Sequence, residues 1–182
     1  MKCEPICIKA RNGQEIVLRS ASVTDAPALL EYLRVTAAES PFLMRDPDEI
    51  RLTLLEEQVF LLEKADAERE LLLIALADGK HIGNCALMQI GSSRRYAHRC
   101  GIAIALYQAY CGLGIGTAML ETVLRIAKET GYEQAELEVM SANTKAAALY
   151  EKLGFQRYGT FPRNMKYPDG HYDDSVWMMK RL

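Results

Sequence analysis

Apolar residues recur along the chain with two periods, and each period predicts a different element. From Gly114 to Thr130, Ile115, Met119, Val123 and Ile126 share one side of a helical repeat, and Thr117, Glu121, Arg125 and Lys128 share the other. That is an amphipathic helix, closed by Gly131. Leu29, Leu30, Leu33 and Ala37 form a second helical stripe, entered through Thr24-Asp25 with Pro27 in the first turn. Residues 49–64 are helical in period with one break, after a start signal at Asp46-Pro47-Asp48, and residues 144–153 predict a fourth helix ended by Gly154. Leu71 to Ala77 is unbroken apolar chain, the pattern of a buried strand. Asp78-Gly79 is a two-residue hairpin signal, so residues 81–90 are its partner strand. Further strands fall at 15–19, 101–107, 136–140, 155–161 and 172–179, with Pro168-Asp169-Gly170 as the turn between the last two. Helices, then an antiparallel meander, then strand-helix-strand-helix-strand describe an α/β (α+β) fold on one central mixed sheet.

Length and composition narrow this further. The chain has 182 residues, enough for one full core, and shows no repeat, low-complexity stretch or Pro/Gly linker. One domain over residues 1–182 is the expectation. Lys and Arg total 22 against 24 Asp and Glu, so nothing draws the whole surface toward nucleic acid. The basic cluster Arg94, Arg95, His98 and Arg99 reads as a solvated strand end rather than a nucleic-acid site. No apolar run is long enough to span a bilayer, and the N-terminal residues carry no secretory signal, so no membrane partner is expected. The five cysteines (Cys3, Cys7, Cys85, Cys100 and Cys111) read as reduced thiols of a cytoplasmic protein. Cys3 and Cys7 lack a second Cys/His pair, so no metal site is expected.

The first chemical signal is Cys111-Gly112-Leu113-Gly114-Ile115-Gly116-Thr117, between a strand and a helix. Glycines at alternate positions leave the backbone bare. Successive N–H groups and the positive end of the helix dipole then suit a phosphate or pyrophosphate. A plain flexible turn is the alternative. A dinucleotide fold is another, since Glu136 and Glu138 lie about twenty residues on; Thr117, however, stands where its third glycine would fall. No Gly-Lys-Ser/Thr follows, so it is not a Walker loop.

The second signal is Asn143-Thr144-Lys145-Ala146-Ala147-Ala148-Leu149-Tyr150, followed by Gly154-Phe155. Ala146, Leu149, Tyr150 and Leu153 share one helix face. Taken singly, Asn143 is an ordinary N-cap and Tyr150 an ordinary half-buried aromatic. Together, behind the glycine loop, they resemble the GNAT family of acyl-CoA N-acyltransferases. The family's loop reads Gln/Arg-x-x-Gly-x-Gly/Ala; here it is Cys111-x-x-Gly114-x-Gly116. Its later motif, Asn-x-x-Ala-x-x-Leu-Tyr with Gly-Phe behind it, is complete.

The resemblance implies a mostly antiparallel central sheet flanked by helices and splayed between the strands near 100–107 and 135–140. It implies acetyl-CoA as co-substrate. Backbone N–H groups of Cys111, Gly112, Leu113, Gly114, Ile115, Gly116 and Thr117 would hold its pyrophosphate. Ile104, Ala105 and Leu106 would pair with pantetheine, Asn143 would hold the pantetheine side or an ordered water, and Tyr150 would act as acid at the sulfur. A protonated tyrosine suits that role, because a thiolate must leave at neutral pH. Two departures stand out: Cys111 replaces Gln or Arg, and Gly101 stands where relatives often carry an acid.

The acceptor is expected to be a primary amine of a small metabolite, an amino acid, or a protein or peptide, attacking directly in a ternary complex. Glu39, Glu136 and Glu138 are the candidate bases. The segment Asp169-Gly170-His171-Tyr172-Asp173-Asp174 is acidic and aromatic, suited to a cationic amine, and resembles the tail of a bacterial branch of ribosomal-protein and amino-acid acetyltransferases. The resemblance also makes a homodimer an expected assembly. A CoA-binding module without catalysis is the competing reading; retention of Tyr150 speaks against it, since a binder needs no acid at the sulfur.

Overall fold

The computed structural model describes residues 1–182 throughout. Eight strands form one sheet in the order β1-β2-β3-β4-β5-β6-β8-β7. They are β1 (Ile6–Lys9), β2 (Glu15–Ser20), β3 (Leu71–Ala77), β4 (Lys80–Gln89), β5 (Arg99–Leu106), β6 (Gln134–Met140), β7 (Gln156–Lys166) and β8 (Tyr172–Arg181). Every neighbouring pair is antiparallel except β5 and β6. Four helices cover the sheet: α1 (Ala26–Glu39), α2 (Leu54–Asp66), α3 (Ile115–Glu129) and α4 (Thr144–Lys152).

Leu71 to Ala77 became β3 because both of its faces are covered. Leu71, Leu73 and Ala75 join Ile115, Met119, Leu120 and Val123 of α3 in the main core. Leu72 and Ile74 face the other way, against Ala26, Leu29 and Leu61 of α1 and α2. The Asp78-Gly79 turn forms as its chemistry requires, with both residues at positive φ (49° and 76°). The break in the second helix falls at residues 50–53. Thr53 then restarts it with a capping box to Glu56.

Two elements differ from the sequence reading. The strand β1 was not expected, because four residues behind a proline carry too little alternation to declare themselves. It exists because it pairs with β2 over Ile6–Leu18 to Lys9–Glu15. At the other edge, β7 runs past Phe161 to Lys166 by absorbing irregular register between Phe161 and Met165.

The feature that positions the site is the single parallel pairing. β5 and β6 are in register only at Arg99–Gln134, Cys100–Ala135 and Gly101–Glu136. Beyond this, β5 continues against β4 and β6 against β8. The two strands therefore diverge into a slot whose inner edges carry unpaired backbone groups.

Candidate active site

The glycine loop stands at the open end of that slot, beyond the last residue of β5. After β5 a 3-10 turn at Gln108–Tyr110 leads into residues 111–114, and α3 begins at Ile115. Gly112 and Gly114 have φ of 77° and 86°, conformations strained for any side chain. Gly116 is glycine for another reason. A Cβ there would stand 3.3 Å from Leu106 Cδ1 and 3.8 Å from Leu149 Cδ2. The first helical bond of α3 is Ala118 N–H to Gly114 O. The N–H groups of Gly112, Leu113, Gly114, Ile115, Gly116 and Thr117 consequently have no acceptor in the protein. Cys111 corrects the sequence reading: its N–H donates to Gln108 O at 3.1 Å, closing the 3-10 turn, and is not among these unpaired groups.

Strand alternation assigns the slot's edges. Tyr107 N–H donates to Ile82 O, so Ala105 and Ala103 direct their backbone groups toward β4. Ile102, Ile104 and Leu106 direct theirs into the slot. Ala105 is thus a second correction; its carbonyl also accepts from Tyr32 Oη at 2.8 Å. On the far side Ser141 N–H donates to Asp174 O, which leaves the backbone of Glu138 and Met140 toward the slot.

Asn143 starts α4, with Oδ1 accepting from Ala146 N–H at 3.2 Å. Its Nδ2 makes no hydrogen bond within the protein. Tyr150, two turns on, is buried beside Cys85, the strand partner of Ile104. Burial pushes its phenol up to about 12, with the Cys85 thiol adding to the same direction. Its ring meets Phe155 edge-on at 6.0 Å, and its Oη has no partner. The hydroxyl is not among the enclosed polar atoms of the fold, so its donor is open to a ligand.

The three candidate carboxylates occupy different settings. Glu39, at the end of α1, accepts from Gln108 N–H at 2.7 Å and so ties α1 to the start of the loop. Glu136 is 2% exposed and accepts from Arg99 Nε and Nη2 at 2.5 and 2.6 Å, and from Gln134 Nε2 at 2.8 Å. The Arg99 guanidinium holds its carboxyl below the usual range. This pair pins the closed end of the slot, which uses one member of the predicted basic cluster. A carboxylate with a depressed folded value stabilises the protein above its unfolded value, about 4.3, and the effect fades as pH falls through the folded one. Glu136→Gln is therefore expected to destabilise at neutral pH and to cost less at about pH 3, since the gap narrows only as pH falls below the unfolded value of about 4.3. Urea unfolding at both pH values checks this; a constant gap would mean the charge contributes nothing.

Glu138 lies two residues nearer the open end, on the same face as Glu136, and is exposed. Its Oε1 accepts from Asn164 Nδ2 at 2.5 Å. Asn164 sits in the irregular stretch of β7 behind Arg163, whose φ is 54° and whose N–H donates to Asp174 Oδ1 at 2.7 Å. Asp173 accepts from Ser141 Oγ at 2.5 Å and from Ala142 N–H at 3.3 Å, just ahead of Asn143. Two acids of the predicted acidic segment thus brace the site internally.

Comparison with known proteins fits this geometry. The Acetyltransferase (GNAT) family matches residues 32–155. The chain belongs to the GNAT family of acetyltransferases. It is 27% identical over 159 residues to the N-alpha-acetyltransferase of Sulfurisphaera tokodaii, covering 81% of this chain and 84% of the relative. The GNAT-family acetyltransferase of Streptococcus pneumoniae superposes with a TM-score of 0.87 at 27% identity, over 92% of this chain and 99% of that one. The fold also matches yncA of Salmonella typhimurium, solved with its cofactor acetyl-CoA, with a TM-score of 0.80 at 17% identity over 92% and 94% of the two chains. As a GNAT acetyltransferase, this protein is an N-acetyltransferase with acetyl-CoA as co-substrate. The slot fits that molecule: the row of unpaired N–H groups suits its pyrophosphate and the open strand edges suit the amides of its pantetheine arm.

Sequence reasoning missed Tyr32, Asn164 and Arg11. Arg11 N–H donates to Leu113 O at 2.9 Å, and its guanidinium reaches the glycine loop. All three reach the site across long stretches of chain, and no local pattern marks them.

Proposed function

We propose that this acetyltransferase moves the acetyl group of acetyl-CoA to the α-amino group of an amino acid or peptide, by direct attack within a ternary complex. The observation that carries the proposal is the free Tyr150 hydroxyl beside a slot with unpaired strand edges, with the accessible carboxylate of Glu138 on the slot's other strand. The name of the Sulfurisphaera tokodaii relative supports the α-amino group as acceptor. So does chemistry: an α-amino group has a pKa of about 8 and loses its proton far more readily than a lysine amine of about 10.4.

Acetyl-CoA, when bound, supplies a thioester carbonyl open to attack. Residues 112–117 hold the pyrophosphate through backbone N–H groups. Ile104 and Leu106 hold the pantetheine arm as a further strand would, and Asn143 offers Nδ2 to it. Backbone N–H at the β5 edge stabilises negative charge that develops on the carbonyl oxygen. The Glu138 carboxylate takes the proton that the amine sheds as its nitrogen bonds to the acetyl carbon. Tyr150 Oη donates to the sulfur as the C–S bond breaks. Glu136 is unsuited to the base role because Arg99 and Gln134 occupy its oxygens. Glu39 acts by positioning the loop.

The test is mass spectrometry after incubation with acetyl-CoA and a pool of amino acids, peptides, polyamines and other amines. Products acetylated at α-nitrogen are expected. Products confined to lysine side chains or polyamines would overturn the acceptor class. Bound acetyl-CoA without any product would overturn catalysis.

A further inference from the structure

From Tyr107 to Thr117 the chain between β5 and α3 contains no lysine or arginine. The anion-binding row therefore brings dipoles but no whole charge. Cys111, at the point where the related loop pattern carries Gln or Arg, adds none. A pyrophosphate group is anionic, and hydrogen bonds from a charged donor are about twice as strong as neutral ones. The structure brings one cation to the loop from a distant segment. Arg11 stands in the turn between β1 and β2, and its backbone N–H bonds to Leu113 O at 2.9 Å, which fixes that turn against the loop. Its Nη1 lies 3.4 Å from Gly112 O. A Cβ on Gly114 would stand 3.7 Å from both Arg11 Cγ and Nε. The side chain is exposed and forms no ion pair, so its remaining donors are free.

We propose that Arg11 is a cofactor-binding residue that supplies the missing positive charge to the pyrophosphate of acetyl-CoA. This rests on the glycine loop holding that pyrophosphate, and it adds a residue from the opposite end of the chain. It also gives the unexpected strand β1 a purpose. By pairing with β2, β1 anchors the turn that carries Arg11, so the cation is held in place before ligand arrives and loses little freedom on binding.

Isothermal titration calorimetry with acetyl-CoA, and separately with 3′-dephospho-acetyl-CoA, tests the assignment without any acceptor amine. Arg11→Gln is expected to raise Kd about tenfold for both molecules, with Arg11→Lys intermediate at about threefold. The loss in Arg11→Gln is expected to shrink as salt rises, because the contact is partly exposed. The exposed side chain and the retained backbone bond predict an unchanged thermal midpoint. An unchanged Kd in Arg11→Gln would overturn the proposal. A loss confined to acetyl-CoA would move Arg11 to the 3′-phosphate and overturn the pyrophosphate assignment. Equal losses in the Gln and Lys variants would overturn the charge argument. Absence of binding by the unmodified protein would instead reject the reading of the loop itself.

Discussion

Tyr150→Phe is expected to lower kcat by roughly ten- to a hundredfold and to leave acetyl-CoA binding intact. The magnitude is that of one hydrogen bond to a charged group, about 1.5–3 kcal/mol, made as charge builds on the departing sulfur. The phenol's displacement to about 12 shapes the role. A thiol titrates near 8.5, so complete proton transfer from Tyr150 to the thiolate is unfavourable by about 3.5 pKa units. The hydroxyl therefore works mainly as a hydrogen-bond donor, and its high value keeps the proton available. An ordinary tyrosine, near 10, would begin to lose that donor as pH approaches 10. Here kcat is expected to stay level from about pH 8 to 10, since the folded value lies higher. Stability should barely change, because the ring volume is kept and the lost hydroxyl had no partner to orphan. Full turnover in the Phe variant would remove Tyr150 from the mechanism. A rate falling with a midpoint at or below about 10 would contradict its buried setting.

What could be read in the sequence follows from the range of the physics involved. β3, the Asp78-Gly79 turn and α3 were legible because burial period and turn chemistry are local. The glycine loop and the Asn143–Tyr150 helix were legible for the same reason: each motif is contiguous. Their joint meaning needed the resemblance, since Asn143 alone is the N-cap that the structure also makes it. The two corrections, at Cys111 and Ala105, came from hydrogen-bond direction. Whether Cys111 N–H or the Ala105 carbonyl faces the slot depends on a 3-10 turn and on strand register, which residue types do not encode. Arg11, Tyr32 and Asn164 were illegible because each acts through a partner far along the chain. Arg11 meets Leu113, Tyr32 meets Ala105, and Asn164 meets Glu138. β1 was hidden similarly, having meaning only through its register with β2.

The carboxylate on β6 should matter most where the amine still carries its proton. Glu138→Gln is expected to lower kcat about a hundredfold at pH 7 for an α-amino acceptor. The deficit should narrow toward pH 9, because an amine of pKa about 8 is by then mostly neutral and needs less help. A deficit equal at both pH values would show that Glu138 acts on something other than the acceptor's proton. Asn164 separates base from orientation. Its Nδ2 holds Glu138 Oε1, and the Arg163 N–H to Asp174 bond fixes the bend that delivers it. If Asn164 works by aiming the carboxylate, Asn164→Ala should lower kcat about tenfold with KM for acetyl-CoA unchanged. In a Glu138→Gln background the same change should have almost no effect, since two groups acting as one unit do not lose rate additively. Additive losses would place Asn164 in direct contact with the acceptor instead. An unimpaired Glu138→Gln enzyme would return the amine's deprotonation to solvent, which an α-amino group near its own pKa could tolerate and a lysine amine could not.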